Sequence, residues 1–268
     1  MAVTNFIPTI WEARLMANFH KASIADVITT PPTEIKGNKI TFNKVGAVAV
    51  KDYAGSVTFD GLSTSSVDLN MDQKKYFAFK VSDVDKVQSA GELVDAHTAE
   101  ASATLQETVD SYVLGLYTGA GSSIGDDTTP IALTESNVYN NIVDLGTKLS
   151  QNKVPMANRF AIINYAVLGL LSKDARFTAQ PTVLENGVVE GQKINGLQIV
   201  VSEEIANVTG KYKILGLHKS AIGHGKQIDE VEAMRLQDDF ADGIRGLMVY
   251  GAGVLRPEAI AVLTATIA

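Results

Sequence analysis

The chain has 268 residues, 46% of them hydrophobic and 20% charged, with a net charge of −7 and no cysteine. That is enough chain to bury a real core in one large domain or two intimately connected ones, and the lack of cysteine excludes a disulfide scaffold and any thiolate metal site. The negative charge argues against binding nucleic acid by neutralising phosphates, no apolar run approaches the roughly 18 residues that span a bilayer, and the first ten residues lack the basic residues of a secretory signal.

From the N-terminus, Thr9 to Lys21 is predicted as a short amphipathic helix, because Trp11, Leu15 and Phe19 recur at i, i+4 and i+8 as one apolar stripe. Thr30-Pro31-Pro32 cannot continue it. A helix this short is marginal in water alone, so the stripe has to dock on the chain's own body or on another copy. Lys39 to Asp52 reads as a strand, with Ile40 and Phe42 alternating against Thr41 and Asn43. A second extended segment runs from Val67 to Val81, through Val67, Leu69, Met71, Phe77 and Phe79. Between the two lies DYAGSVTFDGLSTSS, poor in large apolar residues, so the pair is expected to form a long hairpin that projects from the body.

Ser89 and Glu92 fit a capping box, opening a helix from Glu92 to Tyr117 that Gly119 and Gly121 stop. At 1.5 Å per residue it would be ~39 Å long, which suits a flat or elongated molecule better than a compact ball. Val94, Ala101, Leu105, Val109, Tyr112 and Leu116 form its expected buried stripe. From Gln88 to Thr147 there is no lysine or arginine but there are nine acids, so the remainder of the chain is slightly positive. Such a stretch is either a solvated face or one that meets the basic remainder of a neighbouring copy.

The rest is mixed. Helices are expected at Ser136 to Ser150 and Ala166 to Asp174, and strands at Arg159 to Asn164 and Lys211 to Leu217. Val188 to Glu203 reads as two strands around Asn195-Gly196, a hairpin turn pair. Ala221 to Leu236 and Ile244 to Leu255 look extended, and Arg256-Pro257-Glu258 leads into a final apolar strand.

Motifs for chemistry give little. Gly121-Ser122-Ser123-Ile124-Gly125 matches G-x-S-x-G, with Ser123 as the would-be nucleophile of an α/β hydrolase, but a helix enters the turn where a strand is required. Gly119, Gly121 and Gly125 lack the spacing of a dinucleotide loop, and Gly225-Lys226 lacks the glycine of a phosphate loop. His218 and His224 are six apart, which on one strand would put them on the same face, but a third metal ligand is lacking nearby, and His20 and His97 stand apart. No catalytic residue, cofactor site or metal site emerges, and the expectation is a protein that is not an enzyme.

An N-terminal arm, a projecting hairpin, one very long helix and a mixed body follow one another in that order. This order, with NFIPTIWEARLM, MDQKKYFAFKVSDVDKVQS, VVEGQKINGLQIVVSEEI and the closing AIGHGKQIDEVEAMRLQDDFADGIRGLMVYGAGVLRPEAIAVL, resembles the major capsid proteins of tailed bacteriophages, whose fold is shared with encapsulins and the floor of herpesvirus capsids. The resemblance implies an α+β fold with an N-arm (1–35) and an extended loop (36–81). A peripheral domain (82–127 and 221–250) would carry the spine helix (92–117), beside an axial domain (128–220 and 251–268). It implies self-assembly through hexamers and pentamers into an icosahedral shell enclosing double-stranded DNA without sequence-specific binding. A portal and a separate scaffolding protein would take part, with assembly in the host cytoplasm. Trp11, Leu15 and Phe19 on the arm and Lys51, Tyr53 and Phe59 on the loop become candidate contacts between subunits. The alternatives are an encapsulin-type compartment, a hydrolase using Ser123, and a monomeric binding module.

Overall fold

Among the described residues, three sheets and one long helix organise the fold. The computed structural model describes residues 23–45, 52, 55, 61, 64–82, 92–178, 188–236 and 241–267. A short helix α1 (Ile24–Ile28) buries Ala25 and Ile28, and the chain is extended again at Thr29. Strands β1 (Glu34–Lys36) and β2 (Lys39–Val45) are joined through Gly37, whose φ of +56° a glycine adopts without strain. Strand β3 (Thr64–Asn70) returns antiparallel to β2, with Leu69 opposite Ile40 and Val67 opposite Phe42.

At Met71-Asp72 the chain turns a corner and enters β4 (Gln73–Ser82). The segment expected as one return strand from Val67 to Val81 is therefore two strands in different sheets. β3 pairs with β2, whereas β4 pairs antiparallel with β13 (Ala241–Val254).

The long helix α2 (Glu92–Leu114) has 23 residues, ~35 Å at 1.5 Å per residue. It gives way to a 3-10 turn at Gly115–Gly119, so α-helical bonding stops three residues short of the expected Tyr117. Its buried side chains include Leu105 and Val109, as expected, together with Ser102, Gln106, Asp110 and Val113. Two rings tie it to the neighbouring sheet: Tyr112 meets Tyr250 edge-on at 5.4 Å, and His97 lies 5.9 Å from Phe79.

Strands β5 (Ser122–Ile124) and β6 (Ile131–Leu133) run parallel to the last strand. Helix α3 (Val138–Gln151) turns Val138, Ile142, Leu145 and Leu149 inward. After β7 (Arg159–Ile163) comes α4 (Tyr165–Lys173), capped by Asn164, whose side chain accepts from the Val167 amide at 2.9 Å. One turn, α5 (Ala175–Thr178), follows. Strands β8 (Val188–Ile194) and β9 (Leu197–Val201) flank Asn195 and Gly196, both at positive φ, the hairpin the Asn-Gly pair predicts. β10 (Asn207–Val208), β11 (Lys211–His218), β12 (Ile222–Arg235), β13 and β14 (Ile260–Ile267) complete the chain.

The central sheet has the order β5-β14-β11-β7-β9-β8, with β10 beside β11 and β6 beside β14. Its middle strands are buried almost throughout, and so read as continuous apolar runs and not as alternating ones. The largest fully buried side chain there is Arg159. It donates from Nε to the Pro155 carbonyl at 2.8 Å, from Nη1 to the Gly146 carbonyl at 3.3 Å and Ser150 Oγ at 2.9 Å, and from Nη2 to the Val154 carbonyl. Four acceptors around the C-terminal end of α3 are thus met by one guanidinium. The second sheet, β12-β13-β4, lies against α2, and the third, β1-β2-β3, stands on the second.

Candidate functional site

Two segments are attached to the body outside the central sheet, and the described residues show how each is held. The first is the base of the β2–β3 hairpin. Ile40, Phe42 and Met71 are buried with Val249 of β13 in a small apolar cluster separate from the main core, and Leu69, Leu247 and Leu255 pack around it. The Met71 amide donates to the Asn38 carbonyl at 2.9 Å, closing the corner where β3 ends. Beneath this cluster β12 and β13 present glycines in direct register, Gly223 opposite Gly253 and Gly225 opposite Gly251.

The second attachment is the segment that follows residue 22. Asp110, on the buried side of α2, accepts from Ser23 Oγ at 3.0 Å and from the amides of Ile24 and Ala25 at 3.1 and 2.9 Å, which caps the N-terminal end of α1. Burial pushes its carboxyl above the usual aspartate range, although all three donors act the other way. Further along, Asp26 pairs with Lys226 of β12 at 2.5 Å and lies 3.8 Å from His224. Thr30 forms a parallel bridge with Gly223, and its hydroxyl donates to the Lys219 carbonyl at 2.9 Å.

Hydrogen bonds to an ionised group contribute about 1.5–3 kcal/mol each. Asp110→Ala is accordingly expected to speed amide hydrogen exchange in residues 24–29 by about 10- to 100-fold while β7 and β11 keep their protection. Equal protection of residues 24–29 in variant and parent would show that the cap holds nothing.

The base-free acidic stretch divides. Asp110 is buried in the cap just described, Asp126 accepts from the amides of Thr128 and Thr129 and from the Thr129 hydroxyl, and Asp127 pairs with the buried Lys213 at 2.5 Å. Glu100, Glu107, Glu135 and Asp144 are exposed.

The chemistry tested in the sequence is not assembled. Ser123 is the middle residue of β5, opposite Val262, with a 3-10 turn before it and the Asp126 loop after it; the strand-turn-helix of a nucleophile elbow is not formed. His218 ends β11 and His224 lies on β12, in different sheets, because the turn at Lys219–Ala221 separates the two strands, so the pair does not share a strand face. His218 Nδ1 is engaged by Ser220. Among the described residues no three metal-ligating side chains gather, and no helix is long and apolar enough to cross a membrane. Trp11, Leu15, Phe19, Lys51, Tyr53 and Phe59 all lie outside the described residues. The sequence reasoning missed the Asp110 cap and the glycine seat. Gly-x-Gly in each of two predicted strands was the available sign of the latter.

Comparison with known proteins matches this architecture. A family model described as phage capsid protein matches residues 66–263. A solved structure from Mycobacterium phage Che8 is similar at 29% identity and a TM-score of 0.70, over 90% of each chain. The capsid of the cyanophage P-SCSP1u shares the fold at 19% identity and a TM-score of 0.70, over 92% of this chain and 89% of that one. A virus-like particle from Pyrococcus furiosus shares it at 13% identity and a TM-score of 0.62, over 98% of this chain and all of the other. No curated protein matches the chain. With the hairpin, the long helix and the mixed body in this order, the chain belongs to the phage capsid protein family and is a structural protein of a capsid shell.

Proposed function

We propose that copies of this chain gather as hexamers and pentamers and close into an icosahedral shell around double-stranded DNA, in the host cytoplasm, with a scaffolding protein and a portal as partners. The observation that carries this reading is the β2–β3 hairpin, which stands on its own small apolar seat and not in the main core. Its strands end in a sheet of three whose edges, β1 and β3, have no further strand beside them among the described residues. A hairpin so placed is supported by its neighbours in a shell.

In this reading residues 1–35 and 36–81 reach adjacent copies, and 128–220 with 251–268 meet around symmetry axes. Residues 82–127 with 221–250 carry the long helix along the shell. Trp11, Leu15, Phe19, Lys51, Tyr53 and Phe59 are the contacts proposed on the arm and loop. Exposed Glu100 and Glu107 suit a wall that repels packed DNA phosphates and does not grip them.

Electron microscopy of size-exclusion fractions tests it. Uniform hollow shells, formed by the chain alone or with a scaffolding protein, are the expected result. DNA inside marks a virion shell, and a copurifying enzyme marks the compartment type that the likeness to the Pyrococcus furiosus particle also suits. A chain that stays monomeric with a scaffolding protein and a crowding agent present overturns the reading.

A further inference from the structure

Resting on the shell reading, we propose that Gly223, Gly225, Gly251 and Gly253 are positioning residues that set the direction of the β2–β3 hairpin and, through it, the curvature at which copies close. None of the four has a positive φ, so the backbone does not require glycine at any of them. Glycine weakens a strand interior and in this position marks a close approach. What approaches is the hairpin. A Cβ on Gly223 would stand 2.5 Å from the Phe42 ring, and one on Gly225 2.7 Å from Ile40 Cδ1. On Gly253 it would meet the Leu69 methyls at 2.7 and 2.8 Å. On Gly251 it would meet backbone, the Asn70 carbonyl oxygen at 2.5 Å and Met71 Cα at 2.9 Å.

The four glycines form two facing pairs, so together they make a bare floor under both strands and under the corner. Three of them limit how far side chains of β2 and β3 sink, and Gly251 fixes the corner itself. The described part of each hairpin strand is seven residues long, which is ~23 Å at 3.3 Å per residue. A tilt of about 10° at the base moves the far end of such an arm by about 4 Å, more than a close-packed contact tolerates. When one contact repeats around a closed assembly, a changed rotation between copies gives a different closure or none. The seat belongs to the small cluster and not to the main core, so its geometry can change while the body stays folded.

The chain has no cysteine, so spin labels at Ser66→Cys on β3 and Ser172→Cys on α4 report hairpin direction in the monomer. Gly251→Ala and Gly223→Ala are compared with the parent, with Gly223→Ala/Phe42→Leu, and with Gly169→Ala, whose Cβ would meet nothing within 4 Å. The expected result is a label distance shifted by about 2 Å in both seat variants, with their thermal unfolding close to the parent's. Shells of parental diameter are expected to be lost in favour of open or mixed-diameter assemblies. Phe42→Leu restores the diameter for Gly223→Ala, and Gly169→Ala matches the parent.

An unchanged label distance, parental shells from both seat variants, or a body that unfolds with Gly251→Ala overturns the proposal. A parent chain that forms no shell overturns the functional reading instead, and the label distances still decide the seat.

Discussion

Arg159→Met is expected to lower the unfolding free energy by about 3–5 kcal/mol, the scale for removing one partner from a buried charged network. The reason is geometric. The guanidinium is fully buried, and it supplies donors to the carbonyls of Gly146, Val154 and Pro155 and to the Ser150 hydroxyl. The Ser150 hydroxyl belongs to the last turn of α3, and the Val154 and Pro155 carbonyls lie just beyond it, where helical bonding has stopped. No carboxylate is paired with Arg159 among the described residues; its charge is offset by backbone dipoles. Burial pulls its pKa down from the ordinary arginine value, the cost of holding the cation there.

Methionine fills much of the volume but removes the donors that Arg159 gives the Val154 and Pro155 carbonyls, while the Gly146 carbonyl keeps the Ser150 hydroxyl, and each buried orphan costs about 1–3 kcal/mol. Lysine keeps the charge and one or two of the bonds, so Arg159→Lys is expected to fall between methionine and the parent. Urea unfolding of the monomer measures both. A loss below about 1 kcal/mol for methionine would mean that water takes over the guanidinium's hydrogen bonds and that the network adds little to stability.

Features set by neighbours in sequence were legible, and features set by distant contacts were not. Helix α3 announces itself through Val138, Ile142, Leu145 and Leu149, and the β8–β9 turn through Asn195-Gly196, because both need only local geometry. The corner at Met71-Asp72 was passed over. Leu69, Met71, Phe77 and Phe79 fall in one phase on either side of it, interrupted only by the polar run Asp72 to Lys75, although β3 and β4 join different sheets. Strands β5 and β6 are three residues each and exist because β14, more than a hundred residues on, lies beside them. Asp110 looked like one acid among nine in a stretch facing solvent or a neighbouring copy, and the Ser23 hydroxyl with the amides of Ile24 and Ala25 turns it inward. The glycine floor was half visible, as two Gly-x-Gly sequences whose facing registry appears only when β12 pairs with β13.

Acid is expected to weaken the attachment of residues 23–30 through His224, by about 2 kcal/mol between pH 7 and pH 5. The imidazole is almost completely buried, and its pKa is lowered from 6.5 to about 4. Burial is the main cause, Lys226 adds to it, and Asp26, 3.8 Å from Nδ1, opposes it. Nothing among the described residues bonds its Nε2, so a protonated ring would hold an N–H without an acceptor.

The sign follows from the lowered value. The unfolded chain takes up the proton near pH 6.5 while the folded chain does not, so stability is full above that pH and falls as pH drops towards 4. Asp110 works in the opposite direction, since its raised pKa lets the folded chain bind a proton more readily as pH falls. His224→Gln removes the imidazole titration and leaves Asp110 in place, so the difference between parent and variant isolates His224. Urea unfolding at pH 7 and pH 5 should show the parent losing about 2 kcal/mol more than the variant. Because Thr30 and Asp26 meet β12 beside this ring, the loss should fall first on residues 24–30, as faster amide exchange there at pH 5 than in His224→Gln. Equal losses in the two chains would mean that the folded protein protonates His224 freely, and that its burial does not hold the proton off.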